Sequence, residues 1–256
     1  MRYDTINQDL PLVDSLLKFP AYRRYYKRII DLFLAVIALI FLTPLLIPVA
    51  LILLLTGEHE IFYRQTRIGY KTNTFKIWKF ATMRKGSSKI GAGSLTLRND
   101  PRVLPVGKYL RKTKVNELPQ IINVLIGNMS IVGPRPLMEV DYNKFPEHVK
   151  QNIYHAKPGI TGIGSIIFRD EEKWISNSGI DPHEYDRKVI APYKGELELW
   201  YYKNMSFRTD AKLIFCTAWV IFFPDSQLPQ KIFKGLPAKP ESLKKIATKE
   251  METIAA

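Results

Sequence analysis

The chain has a single cysteine in 256 residues, Cys216, which excludes an internal disulfide and any zinc knuckle built from cysteines. Its surroundings, "KLIFCTAWVIFF", point to a buried, inert thiol. Histidine is also scarce, and the four present show no ligand spacing, so a histidine metal site is not expected. Acidic residues are outnumbered, 24 Asp+Glu against 38 Lys+Arg, leaving a formal net charge of +14. This imbalance favours polyanionic partners: nucleic acid, acidic lipid headgroups or phosphorylated substrates. No recognisable nucleic-acid module accompanies it, so nucleic acid is not the expected partner. The first 30 residues are polar and charged, and no small-residue cleavage site follows the apolar run after them, which excludes a cleaved signal peptide.

That apolar run, Leu32 to Thr56, reads "LFLAVIALIFLTPLLIPVALILLLT", about 25 residues without a charge. It is long enough for a bilayer core of about 30 Å. Pro44 and Pro48 each remove a backbone donor, which predicts a sharp bend with arms of roughly 12 residues, or about 18 Å each. The Thr43 hydroxyl can return to a carbonyl of the preceding turn. Basic residues flank both ends: Lys18, Arg23, Arg24, Lys27 and Arg28 before, Arg64, Arg67 and Lys71 after. Because positive flanks prefer the cytoplasm, this favours a re-entrant hairpin over a single crossing. A second apolar stretch, "SFRTDAKLIFCTAWVIFFP", has Ser206 as N-cap, Asp210 in the first turns and Pro224 as its stop. Its run is too short to span, and core packing and an interfacial position both remain open.

The body between these segments reads as α+β and predominantly helical. "IFYRQTRI" and "TFKIWKF", separated by turn signals at Gly69 and Asn73, predict a short hairpin presenting Arg64, Arg67, Lys76 and Lys79. "NELPQIINVLIG" predicts a helix capped by Asn116, with Glu117 and Pro119 in its first turn and Gly127 closing it. A helix start favours phosphate and a depressed carboxylate pKa, and here Arg111, Lys112 and Lys114 approach it. "GPRP" holds Arg135 out on a stiff turn suited to bidentate phosphate recognition, and "KPGITGIG" adds a second rigid turn with Lys157. The expected division is residues 1–57 as N-terminal segment and re-entrant helix, 58–224 as a cytoplasmic catalytic domain with the hairpin and an interfacial helix, and 225–256 as a basic tail.

With these motifs in view, the chain resembles the bacterial sugar transferases, the small monotopic phosphoglycosyl transferases, over about Tyr26 to Gly162. The resemblance rests on "YKRIIDLFLAVIALIFLTPLLI", "IFYRQTRIG", "FKIWKFATM", "DPRVLPVGKYLRKT", "NELPQIINVLIGNMSIVGPRP" and "KPGITG", in that order. Thr43-Pro44 stands where the family usually has Ser-Pro. The resemblance implies transfer of a phosphosugar from a UDP-sugar to polyprenol (undecaprenyl) phosphate, with Mg²⁺ required and UMP released. The setting it implies is the cytoplasmic face of the bacterial inner membrane, as an initiating step of surface polysaccharide assembly. A homo-oligomer is compatible with all of this. By position, Glu117 matches the metal-binding glutamate, Lys79 and Arg111 match basic residues near the phosphates, and Arg135 matches the nucleotide contact; Arg64 is a further phosphate-site candidate.

Asn116 departs from the family, which places its nucleophilic aspartate there. Ala81 departs too, and after Gly162 "IGSIIFRDEEKW" brings Asp170, Glu171 and Glu172 where another motif is usual. Three accounts stay open. The chain acts by another route, with Glu117, Asp170, Glu171 or Glu172 as nucleophile or with direct attack by the polyprenol phosphate. It is an inactive relative that binds UDP-sugar as a membrane-bound partner. Or Asn116 deamidates.

Overall fold

The apolar run folds as one helix, α1 (Lys27–Leu55), entered through a π-turn at Tyr22–Tyr26. The computed structural model describes residues 21–87, 100–169, 171–176, 178–223, 226–241 and 243. α1 is continuously helical through Pro44 and Pro48. Their spacing of four puts both missing donors on one face, so the loss is local. The Thr43 hydroxyl donates to the Leu39 carbonyl at 2.6 Å, the back-bond expected beside them.

Burial along α1 is uneven. Lys27, Asp31 and Ala35 near its start and Val49 and Leu53 near its end are buried, while Ile40 and Phe41 between them are 66% and 78% exposed. At the start, the Arg28 guanidinium donates to the Val124 and Leu125 carbonyls, and Asp31 accepts from the Ile131 N–H at 3.0 Å. Asp210, itself buried, collects the Lys27 ammonium at 2.5 Å and the hydroxyls of Tyr22 and Tyr201, each at 2.8 Å. Asp210→Ala would leave the Lys27 ammonium buried without a counter-charge. The expected loss is about 3–5 kcal/mol of stability, read by denaturation of the detergent-solubilised protein.

After α1 come β1 (Phe62–Ile68) and β2 (Thr74–Phe80), the hairpin expected from alternation, antiparallel with Tyr63 opposite Lys79 and Arg67 opposite Phe75. α2 (Pro105–Lys112) starts on its proline, and Lys114 then takes a left-handed φ of 60°. Asn116 is not the cap that the sequence suggested. A 3₁₀ segment, Val115–Gln120, begins before it, and the Glu117 N–H bonds back to the Lys114 carbonyl at 3.0 Å. Pro119 has no N–H to return to Val115, so the first turn tightens. α3 (Ile121–Ile126) follows, ended by Gly127 at φ 100°, as expected.

β3 (Ser130–Val132), α4 (Glu139–Tyr142), α5 (Glu147–Ile153) and β4 (Gly159–Thr161) come next, with β3 and β4 paired in parallel. The two short strands can approach because both carry glycine-rich turns; a Cβ on Gly159 would lie 2.1 Å from the Gly133 nitrogen. α6 (Ile163–Ile167), α7 (Glu171–Ser176), α8 (Pro182–Tyr185), α9 (Ala191–Asn204), α10 (Phe207–Phe222) and α11 (Leu228–Ile232) follow among the described residues. The largest core gathers Ile163, Leu197, Tyr201, Leu213 and Cys216. Phe233 and Leu243 join it, so packing continues past residue 224. Ser206 caps α10 by accepting from the Thr209 N–H, while Pro224, the expected stop, lies outside the described residues. Cys216 is buried and unpaired, as read from its surroundings. α10 packs Leu213, Cys216 and Val220 into the core and leaves Phe207, Phe215 and Phe222 exposed.

Candidate active site

Strand alternation decides which cations of the hairpin converge. Tyr63, Gln65 and Arg67 share a face with Phe75, Ile77 and Lys79, whereas Arg64 lies on the other face, stacked over the Trp78 ring at 5.1 Å. Lys79 reaches across to the 3₁₀ turn and donates to Glu117 Oε1 at 2.7 Å. From the second turn, an Arg135 guanidinium nitrogen lies 3.6 Å from the same oxygen. Arg67, Lys79, Glu117, Gln120, Arg135 and Gly159 line one narrow cleft.

The charges there are strongly coupled. Burial alone would raise the Glu117 pKa, but Lys79, Arg135 and Lys114 override it and hold the carboxyl well below the usual range. Burial lowers the Lys79 ammonium to about 8, with Glu117 opposing the shift. Burial and neighbouring Arg135 lower Arg67 to about 10, still protonated at neutral pH. The Arg135 guanidinium is stabilised chiefly by Glu117. Two buried polar atoms of the region have no partner among the described residues: Arg67 Nε, a donor, and Asn116 Oδ1, an acceptor. Each is costly to leave unpaired.

Other residues singled out from sequence sit elsewhere. Arg111 is in the last turn of α2, half-buried, and does not line the cleft. Glu171 pairs with Lys194 at 2.7 Å. Lys157 faces Gly127, near Arg28. Thr43 and Pro44 stay on α1, and Asp170 is outside the described residues. Alternation would have chosen Arg67 over Arg64 once the register through Lys79 was drawn. Tyr154 and Glu198, both buried behind the cleft, carry no local signal.

Glu198 is 2% exposed, and burial pushes its carboxyl up to about 7 despite Arg135 and Lys194. The folded chain therefore holds this proton more tightly than the unfolded chain, whose glutamate ionises near 4.5. Stability from this group is lost as pH rises from about 4.5 to 7. Glu198→Gln is accordingly expected to raise the melting temperature relative to wild type at pH 8 and to change it little at pH 4.5.

A second recess, a cavity of about 180 Å³, is walled by Leu46 and Ile47 of α1, Phe62 and Phe80 of the hairpin, and Pro119 and Ile122. It is wholly apolar. The hairpin and the 115–122 stretch contribute to both recesses, the hairpin from opposite faces: Arg67, Ile77 and Lys79 to the cleft, Phe62 and Phe80 to the apolar recess.

Among the described residues no group of three His, Cys, Asp or Glu could hold a metal by itself. Glu117, the one carboxylate among the residues lining the cleft, fits a Mg²⁺ that takes its remaining oxygens from phosphate and water.

A family model described as bacterial sugar transferase matches residues 22–224. The chain belongs to that family. Among curated bacterial sugar transferases it is 34% identical over 212 residues to the "UDP-glucose:undecaprenyl-phosphate glucose-1-phosphate transferase" of Escherichia coli K12, covering 82% of this chain and 42% of that protein. It is 34% identical over 198 residues to the "Exopolysaccharide production protein PSS" of Rhizobium leguminosarum bv. phaseoli, covering 75% and 92%. It is 32% identical over 205 residues to the "UDP-N-acetylgalactosamine-undecaprenyl-phosphate N-acetylgalactosaminephosphotransferase" of Aeromonas hydrophila, covering 79% and 45%. The chain thus spans less than half the length of the Escherichia and Aeromonas relatives. As a bacterial sugar transferase it has Lys79, Glu117 and Arg135 in one cleft, while Asn116, next to Glu117 in the chain, is buried and is not among the residues lining that cleft.

Proposed function

We propose that this chain transfers a sugar phosphate from a UDP-sugar to polyprenyl phosphate, releasing UMP and initiating surface polysaccharide assembly. One observation carries the reading: Lys79 and Arg135 converge on Glu117 Oε1 in a cationic cleft, an arrangement that suits the phosphates of a nucleotide sugar and of a lipid acceptor. The names of the Escherichia and Aeromonas relatives support the same substrate classes.

Arg67, Lys79 and Arg135 hold the phosphates, and Arg67 Nε gains the acceptor it lacks. Glu117 would hold a Mg²⁺, which would supply charge neutralisation across the diphosphate when bound. Glu117 is a weak nucleophile because Lys79 and Arg135 hold it strongly acidic, and the Asn116 amide is weaker still. An oxygen of the prenyl phosphate therefore attacks the sugar-bearing phosphorus directly. Its new P–O bond replaces the one to the α-phosphate, and UMP departs with that electron pair. The attacking phosphate is largely ionised near neutral pH and needs no general base.

α1 has its two ends anchored on the protein and an exposed apolar middle, which supports a prenyl chain and lipid lying against it. This supports a re-entrant α1 in the inner membrane, entering and leaving on the cytoplasmic face. Cysteines introduced at Tyr25 and Glu58 are expected to react with impermeant reagents only from the cytoplasmic side; labelling from opposite sides would refute the topology. For the activity, purified protein with Mg²⁺, polyprenyl phosphate and a panel of UDP-sugars is assayed for lipid-linked sugar diphosphate. Product from none of the sugars would favour the inactive, UDP-sugar-binding alternative.

A further inference from the structure

Arg135 is useful only if its turn is held still, and neither flanking proline offers an N–H to hold it by. The surrounding backbone is tied strand to strand: the Gly133 N–H donates to the Thr161 carbonyl and the Gly159 N–H to the Pro134 carbonyl, both at 2.9 Å. Tyr154 takes the next peptide from one side, its hydroxyl donating to the Arg135 carbonyl at 2.9 Å and accepting from the Leu137 N–H at 3.0 Å. The Arg135 N–H points the other way, to Glu198 Oε1 at 3.4 Å.

Glu198 projects from α9, a 14-residue helix whose neighbouring Leu197 and Tyr201 are fully buried in the main core, so its base is rigid. Its carboxyl fits beneath the turn because residue 164 is glycine: a Cβ there would lie 2.4 Å from Oε1. The other oxygen, Oε2, is buried with no hydrogen-bond partner among the described residues. Lys194, one turn earlier on α9, is engaged by Glu171 instead. A fully buried carboxyl with one long bond and one empty oxygen is a poor device for stability. It does, however, place an acceptor at the one side-chain-held N–H of the phosphate-binding turn.

We propose that Glu198 is a positioning residue, orienting Arg135 toward bound phosphate through the Arg135 backbone N–H. This rests on the nucleotide-binding reading of the cleft. Oε1 accepts in both protonation states, so the grip needs an acceptor and not a charge; glutamine should supply it and leucine should not.

The test is a double-mutant cycle on the dissociation constant of UDP with Mg²⁺, a readout that does not require turnover. Glu198→Leu is expected to weaken UDP binding about tenfold in the wild-type background and no more than about twofold in Arg135→Ala, because its effect passes through Arg135. Glu198→Gln should stay within about threefold of wild type. If the leucine variant does not fold, Glu198→Asp, which withdraws the carboxyl by one methylene, takes its place, with the same loss of effect in Arg135→Ala. Equal weakening in both backgrounds, or none in either, overturns the proposal while leaving the cleft's function intact. Failure of the wild-type chain to bind UDP overturns both, and is visible before any variant is made.

Discussion

Glu117→Gln is expected to reduce UMP release by about a hundred- to a thousandfold, the loss typical when one preorganised charge-stabilising group is removed from a phosphoryl- or acyl-transfer site. The reason is its place in the cluster. Glu117 Oε1 is the shared partner of Lys79 and Arg135, and Arg67 borders the same cleft. A neutral amide leaves three cations facing one another and removes the carboxylate proposed to hold Mg²⁺. Arg135 and Lys79 would turn toward solvent or toward the incoming phosphates. UDP binding should therefore fall less than turnover, or even tighten, and the measured split between KM and kcat checks this. A glutamine variant that keeps full turnover would remove Glu117 from the machinery. Acidity offers no substitute for the mutation, because Glu117 stays ionised well below the pH range in which carboxylates usually titrate.

Asn116→Asp should change the route. In the wild-type chain the proposed attack comes from the lipid phosphate, so no UMP appears without acceptor. An aspartate at this buried position, next to Glu117 in the chain, adds a carboxylate close to a cleft whose cations are already in place. It is expected to displace UMP and to retain the phosphosugar, giving about one equivalent of UMP per protein without acceptor and the corresponding mass increase in the intact protein. Two adjacent carboxylates also repel, which raises the affinity of one of them for a proton and shifts the onset of this burst to higher pH. A variant showing turnover but no adduct under single-turnover conditions would mean that the position does not face the reacting phosphorus.

Much of this arrangement was legible in the residues. Alternation in "IFYRQTRI" and "TFKIWKF" marked the hairpin, the helix-start acid and the Pro-Arg-Pro turn marked Glu117 and Arg135, and the family resemblance marked Lys79; Arg111 and Lys157, read as converging with them, do not line the cleft. What was hidden depended on register, proline chemistry or tertiary burial. Moving one residue along β1 exchanges the faces of Arg64 and Arg67, and charge counting cannot choose between them. Pro119 tightened the turn that Asn116 was expected to cap. β3 and β4 are three residues each, too short to show a period, and they pair across 29 positions. Glu198 reads as one more charge in "KGELELWYYKN"; only packing of α9 into the core shows it to be buried. The apolar groove needed α1, the hairpin and the 3₁₀ turn together, and none of them announces it alone.

The central claim, direct transfer from a UDP-sugar to a lipid phosphate on this cleft, is tested most directly by single-turnover UMP release with and without polyprenyl phosphate. Wild-type protein at a concentration above that of the UDP-sugar should release UMP only when the lipid acceptor is present, in amounts matching the lipid-linked sugar diphosphate formed. A stoichiometric burst of UMP without acceptor would contradict the direct route. No UMP with acceptor and any UDP-sugar would contradict the transfer itself.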